Sequence, residues 1–390
     1  MTRALASLRM AAAMTTLSLL PVPGSVSGQN AAGAGFEFLG YDFDAGLGAE
    51  AAQLLMIPVA LRVPVREDVT VDVSSAWAEG RIEVQGTRWK LSGPVDTGVR
   101  AAYQALPWVL VTLGANVPTG TATHDSGEAI VASVLSTDLL GFREATWGRG
   151  FALTSSVAVA RSFGSFGLGL AAAYAHRGRF NPSTEQADLQ YEPGNEARIR
   201  VGLDRNFGNS TLTAGATFID YAQDRVASDA EPGGRNLFQA GRRIRLDATY
   251  AFRMGAGVWT VYAADLIRRN GNLSLPNLDS QNLPLGTFTD VQTPRQNLLI
   301  AGVMGTVAIG GGFVLRPHAD FKLQSREDPT GSNAGSGWLV AFGGDVPLRI
   351  FGGYDFFPKA RALLGSIKDP TGAGVAVFGM ELRGTVRLAF

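Results

Sequence analysis

The sequence predicts an all-β protein, namely a transmembrane, antiparallel, up-and-down β-barrel of sixteen strands. From Gly35 onward, segments of 10–18 residues alternate apolar and polar side chains, which predicts strands with two different faces. Short Gly- or Asn-containing links alternate with long ones, as they do in barrels that cross a membrane. Segment 373–390 carries Glu381, Arg383 and Arg387 on one face and an apolar set ending at Phe390 on the other. Such an apolar face favours contact with lipid over a soluble sheet.

Composition excludes several classes of function. The 390 residues include 49 glycines and no cysteine, only 17% are charged, and the formal net charge is zero. The charge balance argues against a nucleic-acid partner. Without cysteine there are no disulfides or thiolate sites, and no His, Asp or Glu cluster has the spacing of metal ligands. We therefore expect neither a metal nor a cofactor.

Residues 1–28 are predicted to be a secretory signal peptide, and residues 29–390 a single barrel domain with long extracellular loops. Arg3 and Arg9 flank the start of the apolar stretch 10–20, and small, turn-forming residues follow it, which is the usual order in a signal peptide. The apolar stretch is too short to cross a bilayer as a helix. An exported chain of alternating strands is expected in the outer membrane of a bacterium.

The individual strands follow from the positions of the turns. An even number of strands leaves both chain ends on the periplasmic side, where connections are short. The first two segments alternate least clearly, and if they form an N-terminal plug instead, fourteen strands remain. The sixteen predicted strands lie near residues 36–46, 52–64, 69–84, 95–106, 108–117, 148–161, 166–179, 196–207, 210–222, 241–254, 257–269, 295–308, 312–326, 336–347, 349–365 and 373–390.

The last strand resembles the C-terminal strand of Gram-negative outer-membrane β-barrels. In those proteins a terminal Phe, preceded by apolar residues at alternate positions, serves as an assembly signal. The resemblance implies that the outer-membrane assembly machinery is a partner and that Phe390 faces lipid at the periplasmic rim.

Charged side chains occupy one face of several predicted strands, and that face must line the interior. A charge facing mid-bilayer lipid costs about 2–4 kcal/mol for arginine or lysine. Both signs of charge are present, so two interpretations stay open: a polar wall along which a solute passes, or a salt-bridged network that stiffens the barrel. Sixteen strands leave an aqueous interior unless it is plugged. The predicted lumen and solute-binding residues are Arg198, Arg200, Arg243, Arg245, Arg316, His318, Asp320, Arg383 and Arg387.

Two short motifs resemble a known family. Residues 92–97 read SGPVDT and residues 113–120 read LGANVPTG. The pair is similar to the signature of the outer-membrane family encoded with phenol and meta-cleavage degradation pathways, and the layout is similar to that of long-chain fatty-acid outer-membrane transporters. The resemblance implies uptake of small hydrophobic or aromatic molecules. The N-terminal hatch of the fatty-acid transporters has no clear counterpart in this sequence.

One long loop contains a predicted helix. Residues 126–140 place Ile130, Val131, Val134, Leu135 and Leu139 at helical spacing, with Ser126 as a cap and Glu128 in the first turn, which predicts a helix near 128–139. Two positions are open: a surface helix packed on the barrel rim, or a helix folded into the mouth that narrows it.

Three functions are compatible with these features. Passive transport of small solutes through an arginine-rich channel is the first. The alternative is a non-transporting surface or scaffold barrel whose long loops bind a partner. A barrel hydrolase is the third, because His318 and Asp320 share a face at a spacing that orients an imidazole. No serine accompanies them locally, although a neighbouring strand could supply one, and we do not expect an enzyme.

Overall fold

A computed structural model describes residues 30–143, 147–228, 231–278, 284–310, 313–327, 332–350 and 354–389. The predicted signal peptide and Phe390 lie outside the described residues, so both remain predictions.

The strands before the helix are β1 (Ala31–Phe43), β2 (Ala51–Arg66), β3 (Val69–Val84), β4 (Thr87–Pro94), β5 (Thr97–Leu106) and β6 (Val109–Val117), and the helix is α1 (Ser126–Leu135). The strands after it, up to the middle of the chain, are β7 (Ala152–Phe163), β8 (Phe166–Arg177), β9 (Gln190–Glu192), β10 (Glu196–Phe207), β11 (Ser210–Tyr221), β12 (Asp224–Ser228) and β13 (Glu231–Gln239). The remaining strands are β14 (Arg243–Met254), β15 (Gly257–Arg268), β16 (Asn272–Leu278), β17 (Pro284–Gln292), β18 (Arg295–Gly310), β19 (Phe313–Glu327), β20 (Gly337–Asp345), β21 (Leu348–Arg349), β22 (Tyr354–Lys368) and β23 (Gly374–Ala389).

Eighteen of these strands form the barrel wall. Each pairs antiparallel with its neighbours, and β1 pairs with β23 from Ala31 opposite Ala389 to Phe43 opposite Val377, which closes the sheet. Two wall strands are interrupted: β4 and β5 both pair with β3, and β20 and β21 both pair with β22. Counting each interrupted strand once gives a closed barrel of sixteen strands. The predicted number is confirmed, and the fourteen-stranded alternative is wrong because β1 and β2 lie in the wall.

The outer face of the wall is apolar. Leu113, Leu170 and Val201 are 61%, 55% and 54% exposed, although large apolar side chains of soluble proteins tend to be buried. The charged residues of the same strands alternate with them and point inward. An apolar belt around a closed barrel is the arrangement that a lipid bilayer requires. Among the described residues, no helix is long and apolar enough to span a membrane.

The connections alternate as predicted, with one correction. Short turns such as 164–165, 208–209 and 255–256 lie at the end of the barrel that also holds both described chain ends, which makes this the periplasmic end. Residues 85–94, predicted to be a long loop, instead form a tight turn at Gln85 and Gly86 followed by β4. Both turn residues have positive φ, 49° and 72°, as a two-residue hairpin turn requires.

Three of the predicted long loops carry strands of their own. Strands β9, β12, β13, β16 and β17 form a separate five-stranded sheet outside the wall. Its pairings are short and irregular, with register shifts in two of them. The long connections themselves were predicted, but the strands within them were not.

The described residues of the loop between β6 and β7, 118–143 and 147–151, lie inside the barrel, and we call them the inward loop. It contributes Val131, Leu135 and Trp147 to one buried cluster and Leu139 and Leu140 to another. The other members of both clusters belong mainly to inward-facing positions of the wall, such as 52, 54 and 56 on β2. The described apolar core therefore lies inside the barrel, between the inward loop and the wall.

Helix α1 differs in detail from its prediction. Asp125, and not Ser126, is the N-cap: its carboxylate accepts a hydrogen bond from the Glu128 backbone N–H, and the Glu128 side chain returns to the Asp125 N–H. The two bonds make a capping box. The helix ends at Leu135, before Ser136, because hydroxyl side chains compete for backbone hydrogen bonds: the Ser136 hydroxyl bonds to the Ser133 carbonyl.

Candidate functional site

The first half of the inward loop packs on the inner face of β2, β3 and β4. Leu135 is 1% exposed and Val131 is fully buried. A Cβ added to Gly80 of β3 would lie 2.7 Å from Leu135 and 3.0 Å from Val131, so only a glycine lets the helix approach this closely. The Trp147 indole N–H donates to the Ala78 carbonyl at 2.8 Å. Helix α1 therefore lies within the barrel, which favours the interpretation that it narrows the mouth and excludes a helix on the outer rim.

The second half of the inward loop follows the wall onward to β1, β18, β19 and β23. The Tyr41 hydroxyl donates to the Leu140 carbonyl at 2.6 Å, and the Lys322 ammonium donates to the Leu139 carbonyl at 3.2 Å. Gln296 donates to the Asp138 carboxylate at 2.8 Å, and Arg143 pairs with Glu37 at 2.9 Å. The described residues of the loop thus cover one side of the lumen and leave β8, β10, β11 and β14 uncovered. Leu266 of β15 packs against the buried cluster that contains Leu139 and Leu140.

The two motifs that carry the family resemblance hold the ends of this loop. Asp96 accepts hydrogen bonds from the Gly120 N–H at 3.0 Å, the Asn116 amide at 2.7 Å and the Arg149 N–H at 2.8 Å. The Thr119 hydroxyl bonds to the Val95 carbonyl at 3.1 Å. A Cβ at Gly120 would overlap the Trp147 carbonyl. In this chain the motifs therefore anchor both ends of the inward loop to β4, β5 and β6.

A cavity of about 260 Å³ lies between the inward loop and the uncovered strands. Five arginines lie on its wall side and Asp138 of the inward loop on the other. The register places Arg198, Arg243 and Arg268 at one height and Arg200 and Arg245 one step nearer the periplasm. We call these five residues the arginine wall. Apolar side chains complete the lining, chiefly Ile219, Leu266 and Leu298.

The arginine wall is partly neutralised. Arg200 donates to both oxygens of Asp247, at 2.8 and 2.7 Å, and to the Thr217 hydroxyl at 2.7 Å. Arg198 pairs with Glu196. The Arg243 guanidinium lies 5.5 Å from the centre of the Tyr221 ring. An Asp247 oxygen lies 3.6 Å from the Arg245 Nε, and that Nε has no hydrogen-bond partner among the described residues. Among the described residues, the five arginines of the arginine wall therefore outnumber the carboxylates that contact them.

A second charged cluster lies on β15, β19, β22 and β23. Arg361 donates to Asp320 at 2.7 Å and pairs with Glu381, and Lys359 lies 3.3 Å from Glu381. His318 bonds to the Tyr262 hydroxyl at 2.9 Å. Asp320 is 3.7 Å from the histidine Nε2, and its closest contact is with Arg361. The described contacts of His318 include no serine hydroxyl, and its hydroxyl partner is Tyr262.

The remaining predicted lumen residues are dispersed. Arg316 lies 3.8 Å from Asp345 and its guanidinium is 5.9 Å from the Phe357 ring centre. Arg383 is 4.0 Å from Glu37. Arg387 pairs in register with Asp355 near the periplasmic end. The structure therefore brings Arg198, Arg200, Arg243 and Arg245 together at one cavity and His318 with Asp320 in another cluster. Arg316 and Arg383 lie beside that second cluster, at the height of Lys359.

Several residues at these sites were not predicted. Arg361 and Lys359 alternate on β22, and the same parity argument would have found them. Lys322 was not among the predicted lumen residues, and its contact with the inward loop was not foreseen. Asp138 was assigned to a helix and not to a pore lining. In the described part of the chain, no three His, Asp or Glu side chains are grouped as a metal site would need.

His124 joins the inward loop to the loop that follows β8. Its N–H donates to the Pro182 carbonyl at 3.1 Å, and its carbonyl accepts from the Thr184 N–H at 3.0 Å. Both ring nitrogens are buried and have no hydrogen bond to any residue that the structure describes, and Glu128 lies 3.8 Å from Nδ1. Burial lowers the pKa of His124 below its ordinary value of 6.5, although the Glu128 and Asp125 carboxylates act in the opposite direction.

Acidification is expected to loosen the inward loop. Because the folded state holds His124 neutral, the unfolded loop binds the proton more tightly, so stability is present above about pH 6.5 and falls as the pH drops below that value. Current recordings at pH 7.5 and pH 5 should show more frequent conductance fluctuations at the lower pH. His124→Leu should abolish the difference. An equal pH response in that variant would assign it to another group.

Known proteins resemble this chain in fold and not in sequence. No protein-family model matches it, and no curated protein matches its sequence. The solved structures that it resembles include a loop L8 deletion mutant of OmpT, an outer membrane protein of Vibrio cholerae, at 12% identity and a TM-score of 0.40, covering 92% of this chain and 99% of that one. OccK11 (OpdR) of Pseudomonas aeruginosa is 10% identical with a TM-score of 0.43, covering 93% and 96%. OccK5 (OpdH) of the same species is 10% identical with a TM-score of 0.44, covering 94% and 100%.

Because these identities and scores are low, the function has to be argued from the residues of this chain. The closed antiparallel barrel, its even number of strands and its apolar belt are those of a bacterial outer-membrane protein. The chain is an outer-membrane β-barrel.

Proposed function

We propose that this barrel is a passive channel for small solutes, narrowed by the inward loop and open along the arginine wall. The observation that carries the proposal is the cavity of about 260 Å³ between Asp138 and the five arginines. Low-dielectric walls focus the field of such charges, so a small excess of positive charge biases the flux of ions. The channel therefore prefers anions to a modest degree.

The apolar part of the cavity lining supports a solute that is partly hydrophobic. Ile219, Leu266 and Leu298 lie beside the guanidinium groups, so the cavity suits a solute with a small hydrophobic or aromatic body. This agrees with the uptake of such molecules that the family resemblance implies. A hydrolase is disfavoured because His318 is engaged with Tyr262 and Arg361.

We also propose that β23 is the strand through which the assembly machinery handles the barrel. Its outward side chains are apolar, including Phe378 at 53% exposure, and its pairing with β1 is the step that closes the sheet. Phe390 lies outside the described residues, so its role in assembly stays a prediction.

The channel proposal is tested by replacing Arg243 and Arg245 with Gln. Both residues line the cavity, so the reversal potential of planar bilayers in a salt gradient should shift towards cations by several millivolts. Arg295→Gln is the control, since Arg295 lies outside the cavity and pairs with Glu327 at 2.5 Å; its reversal potential should stay at the wild-type value.

Two outcomes would contradict the proposal. Loss of stability in the double variant with unchanged selectivity would make the arginine wall purely structural. Persistent absence of conductance steps in the wild-type protein would favour the alternative, a scaffold barrel that binds a partner through its long loops.

A further inference from the structure

Two arginine side chains point outward from the barrel wall, towards the lipid, near the periplasmic end. Arg161 on β7 pairs in register with Leu168, which is 51% exposed, and Arg205 on β10 pairs with Phe166, which is 39% exposed. Paired residues of neighbouring strands share a face of the sheet, so both arginines face outward with these apolar residues. Arg161 lies three residues before the β7–β8 turn, and Arg205 three residues before the β10–β11 turn.

Each guanidinium lies over one or two aromatic rings. The Arg161 guanidinium carbon is 5.0 Å from the centre of the Trp108 ring. That of Arg205 is 4.6 Å from the Phe166 ring and 4.5 Å from the Phe207 ring. A cation over an aromatic face is attracted by the ring quadrupole, and aromatic residues mark the level where a barrel meets the lipid headgroups. The rings therefore hold both arginines at the membrane surface.

Neither arginine has an acidic partner in the part of the chain that the structure describes. No carboxylate there lies within 4.0 Å of either guanidinium, whereas outward cations at the opposite end do pair: Arg81 and Lys90 with Glu79, and Arg295 with Glu327. Both guanidinium groups are exposed. Their hydrogen-bond donors are thus available to a ligand from the membrane.

We propose that Arg161 and Arg205, with Trp108, Phe166 and Phe207, bind the headgroup of an anionic phospholipid in the periplasmic leaflet. Guanidinium is the side-chain group best matched to a phosphate, because its donors contact two phosphate oxygens at once. The rings offer apolar surface to the glycerol and the first carbons of the acyl chains. The two arginines flank β8, so their strands are about 10 Å apart, and one headgroup with its phosphate and glycerol spans part of that distance.

The test is native mass spectrometry of the full barrel in detergent, titrated with dioleoylphosphatidylglycerol. The wild-type protein should retain bound lipid, and Arg161→Gln with Arg205→Gln should weaken the apparent affinity about tenfold or more, as expected for losing charge-assisted bonds to a phosphate. Arg253→Gln is the matched control. Arg253 also lies near the periplasmic end, but it alternates with the outward-facing Phe252 and so faces the lumen. It should retain lipid as the wild type does.

The same titration contains the results that would overturn the proposal. Equal lipid retention by the wild type and the double variant would remove the site. An equal loss in Arg253→Gln would show that net charge alone decides. Retention of phosphatidylethanolamine as strong as that of phosphatidylglycerol would exclude selectivity for an anionic lipid. Loss of a dimer peak in the double variant, with lipid binding unchanged, would assign the surface to contact between two copies of the chain.

Discussion

Replacing residues 126–140 with a short Gly-Ser linker is expected to raise the single-channel conductance several-fold. The inward loop covers the wall from β4 round to β18, and helix α1 with residues 138–140 forms its bulk. A sixteen-stranded barrel without such a plug encloses an aqueous channel. The measurement is the step size of single channels in planar bilayers, compared with the wild-type protein in the same salt.

A matched pair of single substitutions tests the same point without shortening the chain. Leu135→Asn places an amide against Gly80 and Trp147 in the buried cluster, and burying an unpaired polar group costs about 1–3 kcal/mol. The helix should leave the wall and the conductance should become larger or unsteady. Ile130→Asn introduces the same side chain on the same helix at a position that is 41% exposed, and it should leave the conductance unchanged.

An unchanged step size after removal of 126–140 would contradict the role assigned to the inward loop. The narrowest point would then lie elsewhere in the lumen, and the cavity beside the arginine wall would not control the passage of solutes. A large effect of Ile130→Asn would show that the polarity and shape of the helix surface, and not its packing on the wall, control the current.

The wall was predictable from the sequence because each strand carries its own evidence. Apolar and charged residues alternate on β10 and β14, so the inward direction of Arg198 and Arg243 needed no knowledge of the neighbouring strands. The tight turns contain residues such as Gly164 and Gly208, whose positive φ suits them to short hairpins. Strand number and parity followed from these local signals.

The surface on which helix α1 packs was not predictable in the same way. An amphipathic pattern shows that Val131 and Leu135 need an apolar surface, but not which surface. A signal was present on the other side of the contact: Ala76, Ala78 and Gly80 are small, uncharged residues at inward positions of β3, where a water-filled lumen would favour polar side chains. Small apolar residues on a lumen face indicate that something packs there.

Ion pairs between side chains of non-adjacent strands could not be predicted from the sequence either. Arg200 bonds to Asp247, which lies two strands away in the wall. The partner is set by the register of two successive pairings, and loop lengths of different size separate them in sequence. Alternation gives the face of each side chain but not its height relative to another strand.

Replacing Glu381 with Ala is expected to lower the free energy of unfolding by about 3–5 kcal/mol, the cost of removing one member of a buried ion network. Glu381 is 5% exposed and accepts from the Arg361 Nε at 2.7 Å, with Lys359 3.3 Å away. Without it, Arg361 keeps Asp320 as a partner, but Lys359 loses its described salt bridge, and neither cation is well enough exposed to be stabilised by water instead. Urea titration of the folded, heat-modifiable form in detergent measures the change.

Glu327→Ala is the control, because it removes a carboxylate from an exposed ion pair instead of a buried one. Glu327 also pairs with an arginine, Arg295, but the two side chains are 54% and 61% exposed at the rim, and exposed pairs contribute only about 0–1 kcal/mol. If both variants lose equally little stability, the lumen is wet enough to screen Glu381, and the network does not stiffen the barrel. If Glu381→Ala is strongly destabilised while its ion selectivity stays near that of the wild type, the two charged clusters have separate tasks. The cluster around Arg361 then stabilises the wall on the side covered by the inward loop, and the arginine wall on the uncovered side is left to interact with the solute.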